Sequence, residues 1–298
     1  MMKRNMKTTF EDRVYYTIVY TISFLLLISV LYPMIIILSS SFSSPNAVST
    51  GQIVLLPVEP GLQGYKAVFG DSRIPMGYRN TIFYTVTGTV INVLMTLICA
   101  YPLARKKLPL RGVFTIYFTF TMLFSGGMIP NYILLRDLRM LNTIWAMIIP
   151  GAFSIYSMII TRTFISTSIP AELLEATQID GCSDLKYFFL FVLPLSKAVI
   201  AVITMQYAVG HWNAYFNAFI YLTKKELYPL QVFLREILIL SQFISTDIMD
   251  PETAQAMQGL ADLLKYALIV ISAAPILCIY PFFQKYFVKG VMIGSLKG

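Results

Sequence analysis

Long apolar stretches separated by short polar segments dominate the pattern of this chain. Crossing about 30 Å of bilayer hydrocarbon takes roughly 20 mostly apolar residues in a helix. Six stretches meet that length, near residues 14–42, 79–104, 112–135, 142–161, 195–222 and 263–287. The pattern therefore predicts an all-α, polytopic membrane protein with six transmembrane helices.

The composition supports the same class of protein. The 298 residues are 57% hydrophobic and 13% charged, with a mean hydropathy of +0.68, whereas a soluble domain has about 25% charged residues. The first apolar stretch begins at Val14 and is longer than the apolar core of a cleavable signal peptide, which is about 7 to 15 residues. We therefore expect this stretch to remain in the lipid bilayer as a helix.

The distribution of charge predicts the topology. If the N-terminus is cytoplasmic, the inner segments hold 14 of the 23 Lys and Arg residues but only six of the 15 Asp and Glu residues. Because Lys and Arg near the ends of spans are retained in the cytoplasm, we expect both termini on the cytoplasmic side of the plasma or inner membrane. The net charge of +8 then reflects topology and lipid contact, and it gives no indication of a nucleic-acid partner.

Motifs for nucleotide, metal or hydrolytic chemistry are missing from the sequence. It contains no G-x-x-x-x-G-K-[ST], H-E-x-x-H or G-x-S-x-G pattern and has one histidine. Cys99 and Cys278 fall in predicted spans and Cys182 in a cytoplasmic loop, a placement that predicts free thiols. We expect neither a catalytic nor a metal site, and an intramembrane hydrolase is disfavoured.

The predicted helices divide the chain into five parts. These are a cytoplasmic tail (1–13), a first transmembrane helix (14–42), an extracytoplasmic connection (43–78), a five-helix core (79–287) with a long cytoplasmic loop (162–194), and a cytoplasmic tail (288–298). A second extracytoplasmic connection, Thr223 to Asp262, contains an amphipathic segment from Leu230 to Gln242 that suits the membrane interface. That segment is a candidate contact for an external partner.

The cytoplasmic loop has the local pattern of a short surface helix. Thr167 or Ser168 can cap its start, Pro170 suits its first turn, and Gly181 can adopt the left-handed conformation that ends a helix. We expect a second short helix near Ser183 and a new span from Pro194. The apolar side of the first helix would consist of Leu173, Leu174 and Ile179, and its polar side of Glu172, Glu175 and Asp180.

The residues from Glu175 to Gly181, followed by Leu193-Pro194, resemble the EAA motif of type I ABC importer permeases. The matching positions are Glu175, Ala176, Gly181, Leu193 and Pro194. Thr177 stands where the family has a second alanine, and Phe191 where it has isoleucine. The C-terminal residues 288–298 also resemble the tail of maltose-type sugar permeases. Residues 124–130 and 141–146 resemble the permeases of lipoprotein-associated or complex-polysaccharide importers. The resemblance to the sugar permeases as a whole covers residues 10–298.

This resemblance implies the type I importer fold and a permease subunit of an ATP-driven, binding-protein-dependent importer for oligosaccharides, including oligosaccharides derived from polysaccharides. In such importers, a second related permease, an ABC ATPase dimer and a lipid-anchored or periplasmic solute-binding protein complete the assembly. ATP and Mg²⁺ would be bound by the ATPase, and no cofactor by this chain. Because the chain has one docking loop and two ATPases need two, a second permease chain is expected. The family implies a heterodimer.

The resemblance assigns the loop to ATPase coupling. When ATP binding closes the ATPase dimer, a helix bound in its cleft would move as a rigid unit. That movement would shift the equilibrium between the inward-open and outward-open states of the permease. The coupling residues would be Glu172, Glu175, Ala176, Thr177, Asp180, Gly181, Leu193 and Pro194.

Polar and aromatic residues on the fifth predicted span form a second candidate site, because unpaired polar side chains in lipid are costly. They are His211, Trp212, Asn213, Tyr215 and Asn217, with Asn80, Asn92 and Gln206 as possible contributors. Their aromatic rings could stack on a sugar while their amides bond its hydroxyls. Hydrogen bonding between helices, with an interfacial tryptophan, is an equally open interpretation.

Three alternative functions stay open at this point. A permease of the same fold could carry another solute, because the loop concerns energy coupling rather than cargo. A six-span sensor or scaffold would have no transport role. A secondary transporter is disfavoured, because the sequence has no paired broken helices in repeated halves and few charges within its spans.

Overall fold

The computed structural model describes residues 9–242 and 251–295, and this part of the chain is helical without a β-strand. Its helices are α1 (Phe10–Ser41), α2 (Pro45–Ser49), α3 (Gln63–Gly70), α4 (Arg73–Ala104), α5 (Arg111–Leu123), α6 (Met128–Asp137), α7 (Trp145–Ile148), α8 (Ile155–Ser168), α9 (Ala171–Ile179), α10 (Asp184–Tyr187), α11 (Leu193–Leu195), α12 (Lys197–Trp212), α13 (Phe216–Tyr221), α14 (Leu230–Gln242) and α15 (Pro251–Ser295). A π-helical turn, Phe188–Val192, joins α10 to α11, and Lys225–Leu227 forms a 3-10 turn. The all-α prediction is confirmed.

Three helices in the described ranges are long and apolar enough to cross a membrane alone: α1, α4 and the Gln258–Tyr286 part of α15. Two bent pairs bring the number to five if each is one span. The pair α5 and α6 is bent by 108°, and the stretch Asp184–Leu195 is bent by 78° against α12. The fourth predicted stretch is divided into α7 and α8, and α8 has only 14 residues. The predicted count of six spans is therefore not reproduced.

The ends of the predicted parts differ slightly from the helices. α1 begins at Phe10 because the side chains and backbones of Thr9 and Asp12 form a reciprocal capping box. Residues 1–8 of the predicted N-terminal tail lie outside the described residues. At the other end, α15 continues through the predicted tail as far as Ser295, and residues 296–298 are not described.

One compact unit comprises Met1–Asp71 and Ile237–Ser272. Its connection after α1 folds back on the end of that helix, because Gly61 N donates to Phe42 O at 2.7 Å and Ser39 Oγ donates to Leu55 O at 2.6 Å. Helix α3 approaches α15 closely: a Cβ on Gly64 would lie 2.9 Å from Leu263 Cγ. The predicted irregular connection thus contains two short helices and a defined hydrogen-bond pattern.

The other unit comprises Ser72–Glu236 and Ala273–Gly298. Its central helix is α4, which packs mainly against α8 and α12. Several buried residues of α4 are polar, and most of them have a hydrogen-bond partner elsewhere in the chain, as low-dielectric surroundings favour, although the Thr89 hydroxyl has none among the described residues. For example, the hydroxyls of Thr96 and Tyr207 are 2.7 Å apart, and Thr81 Oγ1 accepts the amide of Leu230 at 2.8 Å.

Candidate functional site

Helix α9 forms the first half of the predicted coupling loop. It begins at Ala171, and Pro170 in extended conformation is its N-cap. The predicted caps were wrong: Ser168 is the last residue of α8, and the Thr167 hydroxyl donates to Thr163 O at 2.9 Å. Proline has no amide hydrogen and keeps the preceding Ile169 extended, so it separates α8 from α9, and α9 begins here without a capping side chain.

Gly181 closes α9 in the predicted left-handed conformation, with φ of +71°. The amide of Cys182 donates to Thr177 O at 2.9 Å, and the amide of Gly181 donates to Gln178 O at 3.1 Å. These two bonds are the pair that defines a Schellman motif. Ser183 then caps α10 by accepting the amide of Lys186 at 3.3 Å. The sequence prediction of a helix, a glycine turn and a second short helix is confirmed.

The inner side of the loop is an apolar cluster, the loop-base cluster. Its buried members are Ile165 of α8, Tyr187 of α10 and Val192 of the π-helical turn. Leu173 and Leu174 pack onto this cluster, as do Tyr101 and Ala104 at the end of α4. Helix α9 is therefore attached to the helices behind it through Leu173 and Leu174.

Both departures from the EAA pattern fit this base. Thr177 is buried, and its hydroxyl donates to Leu174 O at 2.9 Å, so the polar atom that alanine would lack is satisfied. The ring of Phe191 stacks on Tyr187 with centroids 5.5 Å apart. Neither substitution disturbs the loop.

The outer side of α9 is open. Its exposed residues include Glu172, Glu175, Ala176, Ile179, Asp180 and Gly181. The predicted apolar side was wrong in one member, because Ile179 does not join Leu173 and Leu174 and is 87% exposed. Its position as the last residue of α9 carries it away from the loop-base cluster.

Leu193 and Pro194 lie apart from α9. They belong to α11, which continues the π-helical turn and ends at Ser196, where the chain bends into α12. Leu193 is half-buried and Pro194 exposed. The predicted span that begins near Pro194 starts at Lys197 after this bend.

An ion pair that sequence reasoning missed ties the loop to α4. Arg105 Nη1 lies 2.8 Å from Asp184 Oδ1 and donates to the Tyr101 hydroxyl at 2.7 Å. Burial of Arg105 acts to lower the pKa of its guanidinium, but its hydrogen bonds and charge contacts with Asp184 and Tyr101 outweigh that effect, so the pKa lies above its usual value. The basic turn after α4 was visible in the sequence only as a topology signal.

Two further arginines fix the same end of α4. Arg111 Nε and Arg162 Nε donate to the carbonyl of Leu103 at 2.9 and 3.1 Å. The last carbonyls of a helix have no partner within the helix and carry partial negative charge, so guanidinium groups stabilise them. The C-terminal end of α4 is thereby held by α5, α8 and α10 together.

The predicted substrate-path residues separate into two groups. His211 and Trp212 lie in the contact between α4 and α12. His211 Nε2 is 2.7 Å from Asn92 Oδ1, the imidazole lies against Gly88, and Trp212 is 5% exposed. These positions suit helix packing better than contact with a passing sugar.

Asn80 and Asn92 also bond within the protein. Asn80 Nδ2 donates to Glu226 O at 2.7 Å and to Tyr228 O at 3.0 Å. Asn92 Nδ2 donates to the carbonyl of Gly151, in the break between α7 and α8. Both amides therefore hold irregular backbone in place.

The second group is exposed: Gln206, Asn213, Tyr215 and Asn217. Beside it lies a residue not predicted for the site, Arg235 of α14, whose Cζ is over the rings of Tyr215 and Phe219 at 5.2 and 5.0 Å from their centroids. Within the described ranges, no group of three His, Cys, Asp or Glu side chains is placed to hold a metal ion.

Comparison with known proteins identifies the family. No family model matches the chain. It is 35% identical to YtcP, a polygalacturonan/rhamnogalacturonan transport system permease of Bacillus subtilis strain 168, over 97% of this chain and 100% of that protein. The chain belongs to the permease subunits of carbohydrate ABC importers. It is also 39% identical to protein LplC of the same strain, over 89% of each chain.

A solved structure supports the same family. The fold matches a chain of a bacterial ABC transporter that imports the acidic polysaccharide alginate, with a TM-score of 0.83, 33% identity, and coverage of 95% of this chain and 100% of that one. As a carbohydrate importer permease, the chain is a multi-pass membrane subunit. ATP hydrolysis is the work of a separate ATPase subunit, and the importer also includes a binding protein.

Proposed function

We propose that the loop from α9 to α10 is the site through which this permease receives the movement of its ATPase. The observation that carries this proposal is the two-sided environment of α9. Its inner side is packed on the loop-base cluster, and its outer side presents Glu172, Glu175, Ile179 and Asp180 to the surroundings.

The attachment of the loop determines what a push on it can do. Leu173 and Leu174 are packed on the loop-base cluster, which includes Ile165 of α8 and is also contacted by the end of α4, and Asp184 is ion-paired to Arg105 just after α4. Well-packed interfaces change between discrete arrangements rather than deforming continuously. Movement of α9 by a closing ATPase dimer would therefore displace α4 and α8 with it, and such displacement is the means of alternating access.

The rest of the assembly follows from this role. The loop would face the cytoplasm, and with the six predicted spans both termini would lie on that side. ATP and Mg²⁺ would be held by the ATPase. One loop per chain serves one of two ATPases, so a second, related permease would complete a heterodimer, and the binding protein would deliver substrate from the outer side.

We infer that the substrate is an oligosaccharide released from an acidic polysaccharide. Support comes from two similar proteins. YtcP is named for the transport of polygalacturonan and rhamnogalacturonan, and the solved transporter for the import of the acidic polysaccharide alginate. Polygalacturonan and alginate carry a carboxylate on their sugar units. Uptake of labelled trigalacturonate by the reconstituted importer, measured against a neutral trisaccharide, tests this part; preference for the neutral sugar would contradict it.

The docking part is tested by copurification of the ATPase with the permease from membranes. Wild type should retain the ATPase, and the double variant Glu175→Ala, Gly181→Asp should insert normally but lose it. The matched control is Gly112→Asp, because Gly112 also has open space around its Cβ position and directly follows the basic residues from Arg105 to Arg111. Docking through α9 would be contradicted if the double variant retained the ATPase, or if the Gly112→Asp control lost it to the same extent.

A further inference from the structure

Arg235 has an unusual environment for a charged residue in this permease. Its guanidinium lies over two aromatic rings, Tyr215 and Phe219, which are four residues apart on the same side of α13. A cation over an aromatic face is held by the ring's negative potential. The two rings therefore fix the position of the guanidinium while leaving its charge uncompensated.

The N–H groups of this guanidinium are free in the part of the chain that the structure describes. No described carboxylate lies within ion-pair distance of Arg235, and the adjacent Glu236 is directed instead to Arg73, with 3.8 Å between Glu236 Oε2 and Arg73 Nη1. Arginine carries five N–H donors in a planar fork that matches the two oxygens of a carboxylate. The side chain is exposed, so an external anion can reach it.

The surroundings suit a sugar acid. Tyr215 and Phe219 are 40% and 63% exposed, so ring surface remains beyond the guanidinium. Asn213 and Asn217, on the same segment, are exposed amides. Such amides are rare on surfaces that face lipid, which argues that this face is hydrated. A pyranose offers an apolar face to the rings and hydroxyls to the amides.

We propose that Arg235, with Tyr215 and Phe219, binds the carboxylate-bearing sugar unit of the substrate. This inference rests on the proposed function, in which the sugar arrives from the outer side, and on the prediction that Thr223 to Asp262, with α14, lies on that side. The guanidinium fork binds the carboxylate, and the rings contact the sugar beside it. Arg235 thereby selects uronate-containing oligosaccharides over neutral ones.

The test uses the complete importer in proteoliposomes, with its partner permease, ATPase and binding protein. Uptake of labelled trigalacturonate is compared with uptake of its methyl ester, which has the same sugar framework without the charge. Arg235→Gln should lower the ratio of acid to ester uptake by about tenfold or more, because a charge-assisted bidentate contact is lost. Arg235→Lys, which keeps the charge without the fork, should give an intermediate ratio.

The matched control is Arg136→Gln, an exposed arginine on α6 that pairs only with its neighbour Asp137 among the described residues; its ratio should equal that of wild type. Assembled importer is quantified by ATPase copurification, so a variant that fails to assemble is recognised, and Arg235→Lys then provides the comparison. An unchanged ratio in the assembled Arg235 variants, or equal loss of acid and ester, would overturn the proposal. Failure of wild type to take up trigalacturonate would instead refute the acidic substrate, and this inference with it.

Discussion

Arg105 Nη1 lies 2.8 Å from Asp184 Oδ1, and this contact joins residues 79 positions apart in the sequence. It connects the start of α10 to the C-terminal end of α4. The Arg105 side chain is 16% exposed and the Asp184 side chain 66%, so solvent screens the pair mainly from the aspartate side. The contact gives the segment from α9 to α10 a second attachment besides the loop-base cluster.

We predict that separating this pair weakens coupling more than it weakens folding. Arg105→Gln and Asp184→Asn should each cost about 1 kcal/mol of stability, because the aspartate is mostly exposed. Each should nevertheless lower ATP-driven uptake severalfold while the ATPase still copurifies. A double-mutant cycle on uptake checks the pairing: the two changes together should cost little more than one. Additive losses would show that the residues act separately.

Gly88 provides a test of the α4 and α12 contact. A Cβ at this position would overlap the imidazole of His211, and overpacking of this kind costs about 1 to 3 kcal/mol. Gly88→Ala should therefore lower the thermal unfolding temperature of the detergent-solubilised permease. Adding His211→Ala should recover part of the loss by removing the ring.

The control for this prediction is Gly210→Ala on α12, where no atom lies within 4 Å of the added Cβ. Alanine favours a helix over glycine by about 1 kcal/mol, so Gly210→Ala should be neutral or stabilising. Equal unfolding temperatures for Gly88→Ala and Gly210→Ala would contradict the close approach.

Ile179 should be an apolar contact for the ATPase. It is 87% exposed at the end of α9, and apolar groups at the centre of a contact often supply much of the binding energy. Ile179→Glu should reduce ATPase copurification by about tenfold or more, whereas Gln178→Glu, the same charge on the exposed neighbouring residue, should have a smaller effect. If Ile179→Glu and Gln178→Glu reduced ATPase copurification equally, the added charge alone would explain the effect, and the apolar contact would be contradicted.

Asn142 should be important for the region after α13. Its Oδ1 accepts the amide and hydroxyl of Thr223 at 2.5 and 2.8 Å, and its φ is +59°. Asn142→Ala removes the acceptor and strains a left-handed residue, which together should cost about 2 kcal/mol. Asn142→Asp keeps an oxygen there and tolerates the same φ, so it should be milder in thermal unfolding; the reverse order would contradict this role.

Local signals made the coupling loop predictable. Each signal determines the conformation of only a few neighbouring residues, and the structure has the helix ends and the packing that were predicted. The signals are the glycine at 181, the capping Ser183, and the apolar pair Leu173 and Leu174. The amphipathic segment from Leu230 to Gln242 coincides with α14 for the same reason. Pro170 was harder to place, because a helix can begin after proline without any capping side chain.

The breaks within the apolar stretches were not predictable, because distant residues stabilise them. The interruption between α7 and α8 leaves the Gly151 carbonyl without a helical partner, and Asn92, 59 positions away, supplies the hydrogen bond. The hydropathy of the sequence showed only one continuous apolar stretch, 142–161, across this break. Likewise, His211 and Asn213 looked equivalent in sequence, but only the neighbouring α4 determines that the first is bonded to Asn92 and the second is exposed.

The π-helical turn at Phe188–Val192 gives the loop a fixed length. An α-helix advances about 100° per residue, and a π turn accommodates one residue more than an α turn. The extra residue is therefore absorbed within this one turn, and α10, with Asp184, keeps its orientation around the axis that leads to Pro194. The ion pair to Arg105 depends on that orientation. The twelve-residue interval between Gly181 and Leu193 thus contains one residue that widens the helix without turning the loop.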